Sequence, residues 1–183
     1  MKATGIVRRI DDLGRIVVPK EIRRILKIEE NDPVEIYTNE NSDIVIKKYS
    51  VLSGWDNIAQ QYAESLSNST GFSVCISDNE KVLAVSGVSK KVFIGKKIDS
   101  GITDIIKNGE TVILSANDTC SIIEGDENKR YNTQLVSPIL SDGKAIGAII
   151  LFTDNDINAG DAERKIVQSA SDFLGKFLGN QLN

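Results

Sequence analysis

The sequence contains no histidine, which removes the commonest general base, the commonest metal ligand and every Ser–His or Cys–His nucleophile pair. Cysteine is almost as scarce: Cys75 and Cys120 are too few for a disulfide framework and lack metal-ligand spacing. Each reads as a small core residue, since free cysteine is among the most buried residue types. No enzyme activity, metal or cofactor is expected from such a set. No stretch approaches the roughly 18 apolar residues of a membrane span, so no membrane partner is expected. The opening MKATGIVRRI lacks the apolar centre of a signal peptide, which makes the cytoplasm the expected location. Aromatics make up only 5% of the 183 residues. Ile, Val and Leu are plentiful enough to build a core.

Basic charge is outnumbered overall, 22 Lys and Arg against 26 Asp and Glu for a net charge of −4, but it is unevenly placed. Residues 1–27 carry eight basic groups and three acidic ones, a net of +5 that leaves −9 for the other 156 residues. Five of the seven arginines lie here: Arg8, Arg9, Arg15, Arg23 and Arg24. A guanidinium is a planar fork of donors suited to phosphate oxygens and guanine edges. The ordinary alternative is a set of solvated charges on a small sheet. Clustering on an otherwise acidic chain favours a local basic surface for duplex DNA.

Periodicity divides the chain into 1–50, 51–70 and 71–183. Residues 1–50 read as two hairpins around a short helix. Ile6–Ile10 and Arg15–Val18 are β-branched runs across the turn Asp11-Asp12-Leu13-Gly14. Pro19 ends the second run and suits a helix first turn. Over Lys20–Lys27, Ile22, Ile25 and Leu26 share one face. Asn31-Asp32-Pro33 breaks the pattern. Val34–Thr38 and Ile44–Lys48 form the second hairpin, across Asn39-Glu40-Asn41-Ser42. Single cores below ~70–80 residues rarely suffice without metal, disulfide or oligomerisation. With neither metal nor disulfide at hand, a homodimer with a shared core is expected, and a two-fold protein favours a pseudo-palindromic target.

In residues 51–69, Leu52, Trp55, Ala59, Tyr62 and Leu66 are spaced 3, 4, 3 and 4, an a/d-type seam. Barely two heptads long, it is either a dimer-contacting coiled coil or an ordinary packed helix ending at Ser69-Thr70-Gly71. Beyond it, strands are expected at Phe72–Ile76, Val82–Val85, Thr111–Ser115, Thr119–Ile123, Thr133–Leu140 and Ala145–Phe152. Helices are expected at Ile98–Lys107 and Ala159–Leu178. Ser141-Asp142-Gly143 is the hairpin turn between the last two strands. Ser86-Gly87-Val88-Ser89-Lys90-Lys91 reads as a solvated turn rather than an anion site. Asp154, Asp156 and Asp161 lack the regular spacing of a calcium loop.

The run Thr4-Gly5-Ile6-Val7-Arg8, then Asp12-Leu13-Gly14-Arg15, Val18-Pro19-Lys20-Glu21-Ile22-Arg23-Arg24, Val34-Glu35-Ile36-Tyr37 and Lys47-Lys48-Tyr49 resembles the AbrB-type DNA-binding domain over Met1–Tyr49. That resemblance implies a swapped-hairpin β-barrel, an intertwined dimer, and DNA contacts from Arg8, Arg15, Arg23 and Arg24; Arg9 takes a position where the family allows other basic residues. Pro138-Ile139, Gly143 and Ile146-Gly147 resemble the strand–turn–strand signature of GAF domains. Such domains place a small-molecule pocket beside a central sheet, although the cyclic-nucleotide pattern is not recognisable here and the two cysteines lack redox partners.

Across the whole chain, Arg9-Ile10-Asp11-Asp12-Leu13-Gly14-Arg15, Ser86-Gly87 with Ser89-Lys90-Lys91, and Gly143 with Ala145-Ile146-Gly147-Ala148 resemble a family of sporulation regulators of endospore-forming bacteria. Its members join both domains in one chain. The class implied is α+β: a dimeric AbrB-type barrel plus a GAF-like α/β domain with flanking helices. The implied function is late-sporulation transcription control, as activator and repressor, by a nucleoid-associated homotetramer in the forespore cytoplasm. GAF-flanking helices would pair the dimers, and the small-molecule ligand, if there is one, is unknown. The alternatives are a ligand-sensing GAF protein whose N-terminal domain serves only for assembly, and an antitoxin; a folded domain of over 100 residues argues against the latter.

Overall fold

A computed structural model of the chain describes residues 5–30, 32–39, 42–48, 55–126 and 129–179. Asn31, Glu40 and Asn41 of the predicted breaks, Leu52 of the predicted seam, and Met1–Thr4 and Tyr49 of the AbrB-type resemblance lie outside the described residues. The chain divides into two compact units, Met1–Tyr49 and Ser50–Asn183.

In the first unit, helix α1 spans Lys20–Ile25 and begins directly after Pro19. The antiparallel hairpin β1 (Val34–Thr38) and β2 (Ile44–Lys48) pairs in the register Val34↔Lys48 through Thr38↔Ile44. The turn after Ile10 closes through Gly14 N–H donating to the Asp11 carbonyl (3.1 Å) and Asp11 N–H donating to the Arg15 carbonyl (3.1 Å). Gly14 sits there at φ 76°, a conformation costly for other residues.

The runs 6–10 and 15–18, expected as strands, form no ladder among the described residues. A β-branched run becomes a strand only where a neighbour takes its alternate N–H and C=O groups, and here the described residues offer none beyond the Asp11–Arg15 bond. None of the residues whose exposure is described in 5–47 is buried. Twelve large apolar side chains among the described residues of this unit are exposed, including Val7 at 84% and Val17 at 74%.

The second unit has a conventional core. Its five-stranded antiparallel sheet has the order β4-β3-β7-β6-β5, where β3 is Ser73–Asp78, β4 Val82–Ser86, β5 Val112–Ser115, β6 Thr133–Ser141 and β7 Lys144–Thr153. The β6–β7 hairpin turns on Asp142 (φ 49°) and Gly143 (φ 76°). Two positive φ angles give the primed turn that matches strand twist.

Helices α2 (Asp56–Thr70) and α5 (Asp161–Gly179) pack on one face of the sheet, α2 over β3 and β4 and α5 over β6 and β7. Gly71 ends α2 in the left-handed region, as Gly109 ends α4 (Ser100–Asn108). Pleating divides the strand side chains. Cys75, Val136, Ile150 and Phe152 point to the opposite face, into a buried cluster with Phe93, Ile102, Ile106, Ile122 and Tyr131. That cluster carries α4 and the short α3 (Lys90–Phe93).

Two sequence expectations change here. Thr119–Ile123 is not a strand. It follows a 3-10 turn at Ala116–Asp118 and is held by side chains and one isolated bridge, Ile98↔Ile123. Fully buried Gln134 accepts from Cys120 N–H (3.1 Å) and donates to the Cys120 carbonyl (3.2 Å), replacing the ladder. The predicted solvated turn at 86–91 runs directly into α3.

The outer face of α2 and α5 carries an aromatic row. Trp55 meets Phe177 edge-on with centroids 4.9 Å apart, Tyr62 stacks on Phe173 at 6.2 Å, and Phe173 stacks on Phe177 at 5.6 Å. Phe173 is nevertheless 53% exposed, and Ile58 and Ile166 beside it are exposed too. Ala59 and Leu66, by contrast, are buried, so this helix packs within its own chain and keeps an apolar outer stripe.

Candidate nucleic-acid interface

The arginines are displayed by short, tightly closed backbone. Asp11 organises the first group. One of its carboxylate oxygens accepts from the N–H groups of Leu13 (3.0 Å) and Arg15 (2.8 Å), and the other accepts from Arg15 Nε (2.7 Å). This is an Asx turn closed by an ion pair. The Arg15 amide, then its guanidinium, hold the Asp11 carboxyl below its ordinary range. Arg15 stays 70% exposed although its Nε is held by Asp11.

Arg8 lies on the other stem of that turn and donates to the Val7 carbonyl (3.0 Å). Arg9 beside it is exposed and has no acidic partner among the described residues. The Asp11–Arg15 backbone bond thus brings Arg8 and Arg15 to two sides of one turn.

Arg23 and Arg24 are neighbours in the last turn of α1, where cationic side chains favour the negative end of the helix dipole. Arg24 is exposed. Arg23 is half-buried, and its Nε is buried without a hydrogen-bond partner. A buried donor left unpaired costs about 1–3 kcal/mol. No hydrogen bond or ion pair among the described residues links the arginines of the turn to those of α1. Of the five, only Arg15 has an acidic partner within that set.

Asp11 is the residue organising this turn that a count of cations misses. An aspartate three residues before a glycine, inside a basic run, is the signal that could have found it.

The cysteines sit where small core residues sit. Burial pushes the Cys75 thiol well above its ordinary value, and burial followed by the Asp99 carboxylate pushes Cys120 up. Neither is primed as a thiolate. Among the described residues no three acids or thiols gather as a metal site. Asp154 instead pairs with Lys129 at 2.7 Å, and Asp161 opens α5. No helix of the described residues is long and apolar enough to cross a membrane.

A groove of about 590 Å3 lies on the second unit between the end of α4, β6 and α5, lined in part by Glu110, Ser137, Arg164, Gln168 and Asp172. Sequence reasoning passed over it because its residues come from three separated segments.

Comparison with known proteins adds the following. A family described as "Stage V sporulation protein T C-terminal, transcription factor" matches residues 55–179. One described as "Antidote-toxin recognition MazE, bacterial antitoxin" matches residues 7–51. Stage V sporulation protein T of Bacillus subtilis is 42% identical over 177 residues, covering 96% of this chain and 98% of its own. The transition state regulatory protein AbrB of the same organism is 55% identical over 49 residues, 27% of this chain and 50% of its own. Among solved structures, the GAF domain from an Acinetobacter phosphoenolpyruvate-protein phosphotransferase is 12% identical with a TM-score of 0.56, covering 73% of this chain and 84% of its own. At that identity the likeness speaks for the fold alone: the second unit is a GAF fold.

Proposed function

From the premise that the chain belongs to the stage V sporulation protein T family of transcription factors, we propose that two chains intertwine their first fifty residues into one DNA-binding body and that Arg8, Arg9, Arg15, Arg23 and Arg24 of both face the duplex. The observation that carries this is the unburied first unit. It has an ordered hairpin, helix and turn, yet no residue of described exposure from 5 to 47 is buried. Burying a large aliphatic side chain contributes about 1.5–3 kcal/mol. A shared core is therefore the way such a unit gains its stability, and it would give 6–10 and 15–18 their missing ladder partners.

Four unpaired arginines per chain then form a cationic surface, and Arg15, held by Asp11, is the best oriented for bidentate contact. The protein would act in the forespore cytoplasm on nucleoid DNA, activating some late-sporulation promoters and repressing others. The exposed apolar stripe of α2 and α5 would join two dimers into a tetramer, since contiguous exposed apolar patches mark interaction surfaces. The units proposed are 1–50 for DNA and dimerisation, 51–70 as the connecting helix, and 71–183 as the regulatory domain. The reading assigns no enzymatic role.

A small-molecule response is the second reading, favoured by the groove on α5, which a cation, an amide and a carboxylate line at Arg164, Gln168 and Asp172. Ligand binding there would have to bias the DNA-binding state to count as regulation.

The test is duplex binding by full-length Arg8→Ala and Arg15→Ala. Both variants should lose at least tenfold in affinity with the oligomeric state unchanged. Retained affinity in both would refute the assignment.

A further inference from the structure

The acidic second unit carries one strongly basic strip. Residues 81–97 hold five lysines, Lys81, Lys90, Lys91, Lys96 and Lys97, and no aspartate or glutamate. The fold collects them on one edge. β4 is the outer strand of the sheet. Lys81 and Lys97 face each other in an isolated antiparallel bridge at its start. The neighbouring backbone is fixed by Val82 N–H donating to the Lys96 carbonyl (2.9 Å) and Gly95 N–H donating to the Val82 carbonyl (2.9 Å). Lys90 and Lys91 open α3, which packs against β4.

All five are exposed. Lys90 pairs with Glu64 (3.4 Å) and Lys97 with Glu124 (2.8 Å). Lys81, Lys91 and Lys96 have no acidic partner among the described residues. Pairing with a further β-strand is disfavoured at this edge, because Gln60 Nε2 already donates to the Val85 carbonyl (2.9 Å).

We propose that this lysine strip is a second DNA contact, seated on duplex phosphates flanking those held by the arginines. The proposal rests on the DNA-binding reading above. Its partner follows from charge and spacing. Five β residues span about 17 Å, and that length of duplex axis presents roughly ten phosphates. Lysine ammonium groups on flexible stems suit such a repeating, sequence-independent anion better than a single small ligand. Once the arginines hold DNA, the covalently joined second unit meets flanking phosphates at high effective concentration, so a weak strip suffices. The rest of the unit is acidic, which confines the contact to this edge.

The experiment uses the full-length chain and its triple variant K81Q/K91Q/K96Q, each titrated with salt on a short duplex and on a promoter-length one. Each neutralised phosphate contributes about −0.9 to the log–log salt slope, so the variant should lose about 2.7 in slope on long DNA for each chain seated, and little on short DNA. Equal slopes for parent and variant on long DNA would overturn the strip while leaving the arginine reading intact. Equal slopes with an altered oligomeric state would overturn it in favour of an acidic face of a second copy. Failure of the parent to bind any duplex would overturn both readings.

Discussion

Replacing Gly175 by alanine tests whether α5 is seated on the sheet as described. A Cβ at this position would collide with the Leu140 carbonyl oxygen and come within 2.9 Å of the Leu140 carbonyl carbon. That obstacle is backbone, next to the irregularity between Ile139 and Leu140, so no rotamer change relieves it. Overpacking costs about 1–3 kcal/mol, and a backbone collision belongs at the upper end. Alanine returns about 1 kcal/mol through helix propensity. The net loss is about 2 kcal/mol, a fall of roughly 4–8 °C in Tm for a chain of this size. Thermal unfolding by circular dichroism reads it directly. Ser169→Ala, at an exposed position of α5, isolates the propensity gain and should be neutral or slightly stabilising. If Gly175→Ala melts no lower than Ser169→Ala, α5 does not approach β6 this closely, and the placement of the aromatic row beside it falls too.

Five further outcomes are expected. Asp11→Asn should weaken duplex binding several-fold by releasing Arg15, with assembly unchanged. Because the Asp11 carboxyl is held below its ordinary value, the wild-type pair should be intact above that value and be lost only as pH falls through the lowered one; a binding titration against pH checks this. Gln134→Ala removes both bonds to the Cys120 backbone and should cost about 2–3 kcal/mol in denaturant unfolding. The double variant Phe173→Asp, Phe177→Asp should convert the proposed tetramer to a dimer in sedimentation velocity, and an unchanged sedimentation coefficient would remove the α2–α5 face from the assembly. Cys75 should resist alkylation at neutral pH in the native protein and react once denatured, since its thiol is fully buried.

Much of the fold was legible because local chemistry and tertiary packing agreed. The hairpin Val34–Thr38/Ile44–Lys48 falls where its alternation places it, and Gly71, Gly109 and Asp142-Gly143 end or turn their elements as their conformations require. Where partners are not local, the reading weakened. Residues 6–10 and 15–18 have strand composition without a strand partner among the described residues. Thr119–Ile123 has it too, but a single buried glutamine from β6 outcompetes a ladder there. The short α3 was missed because four residues carry no periodicity. At the site, the arginines were visible as charge density, whereas Asp11 acts through hydrogen bonds that composition does not show. The lysines of 81–97 look like a scattered set until β4 and the bridge at Lys81 and Lys97 bring them to one edge.

Amide hydrogen exchange on the intact protein tests the shared N-terminal core most directly. Within one chain, the amides of residues 6–10 and 16–18 donate to nothing among the described residues. If a second chain completes their ladders, they should exchange slower than unstructured peptide by on the order of a thousandfold or more, as amides opening only with the fold do. Exchange of those same amides at the free-peptide rate, in a protein whose sheet amides are protected, would contradict the intertwined dimer.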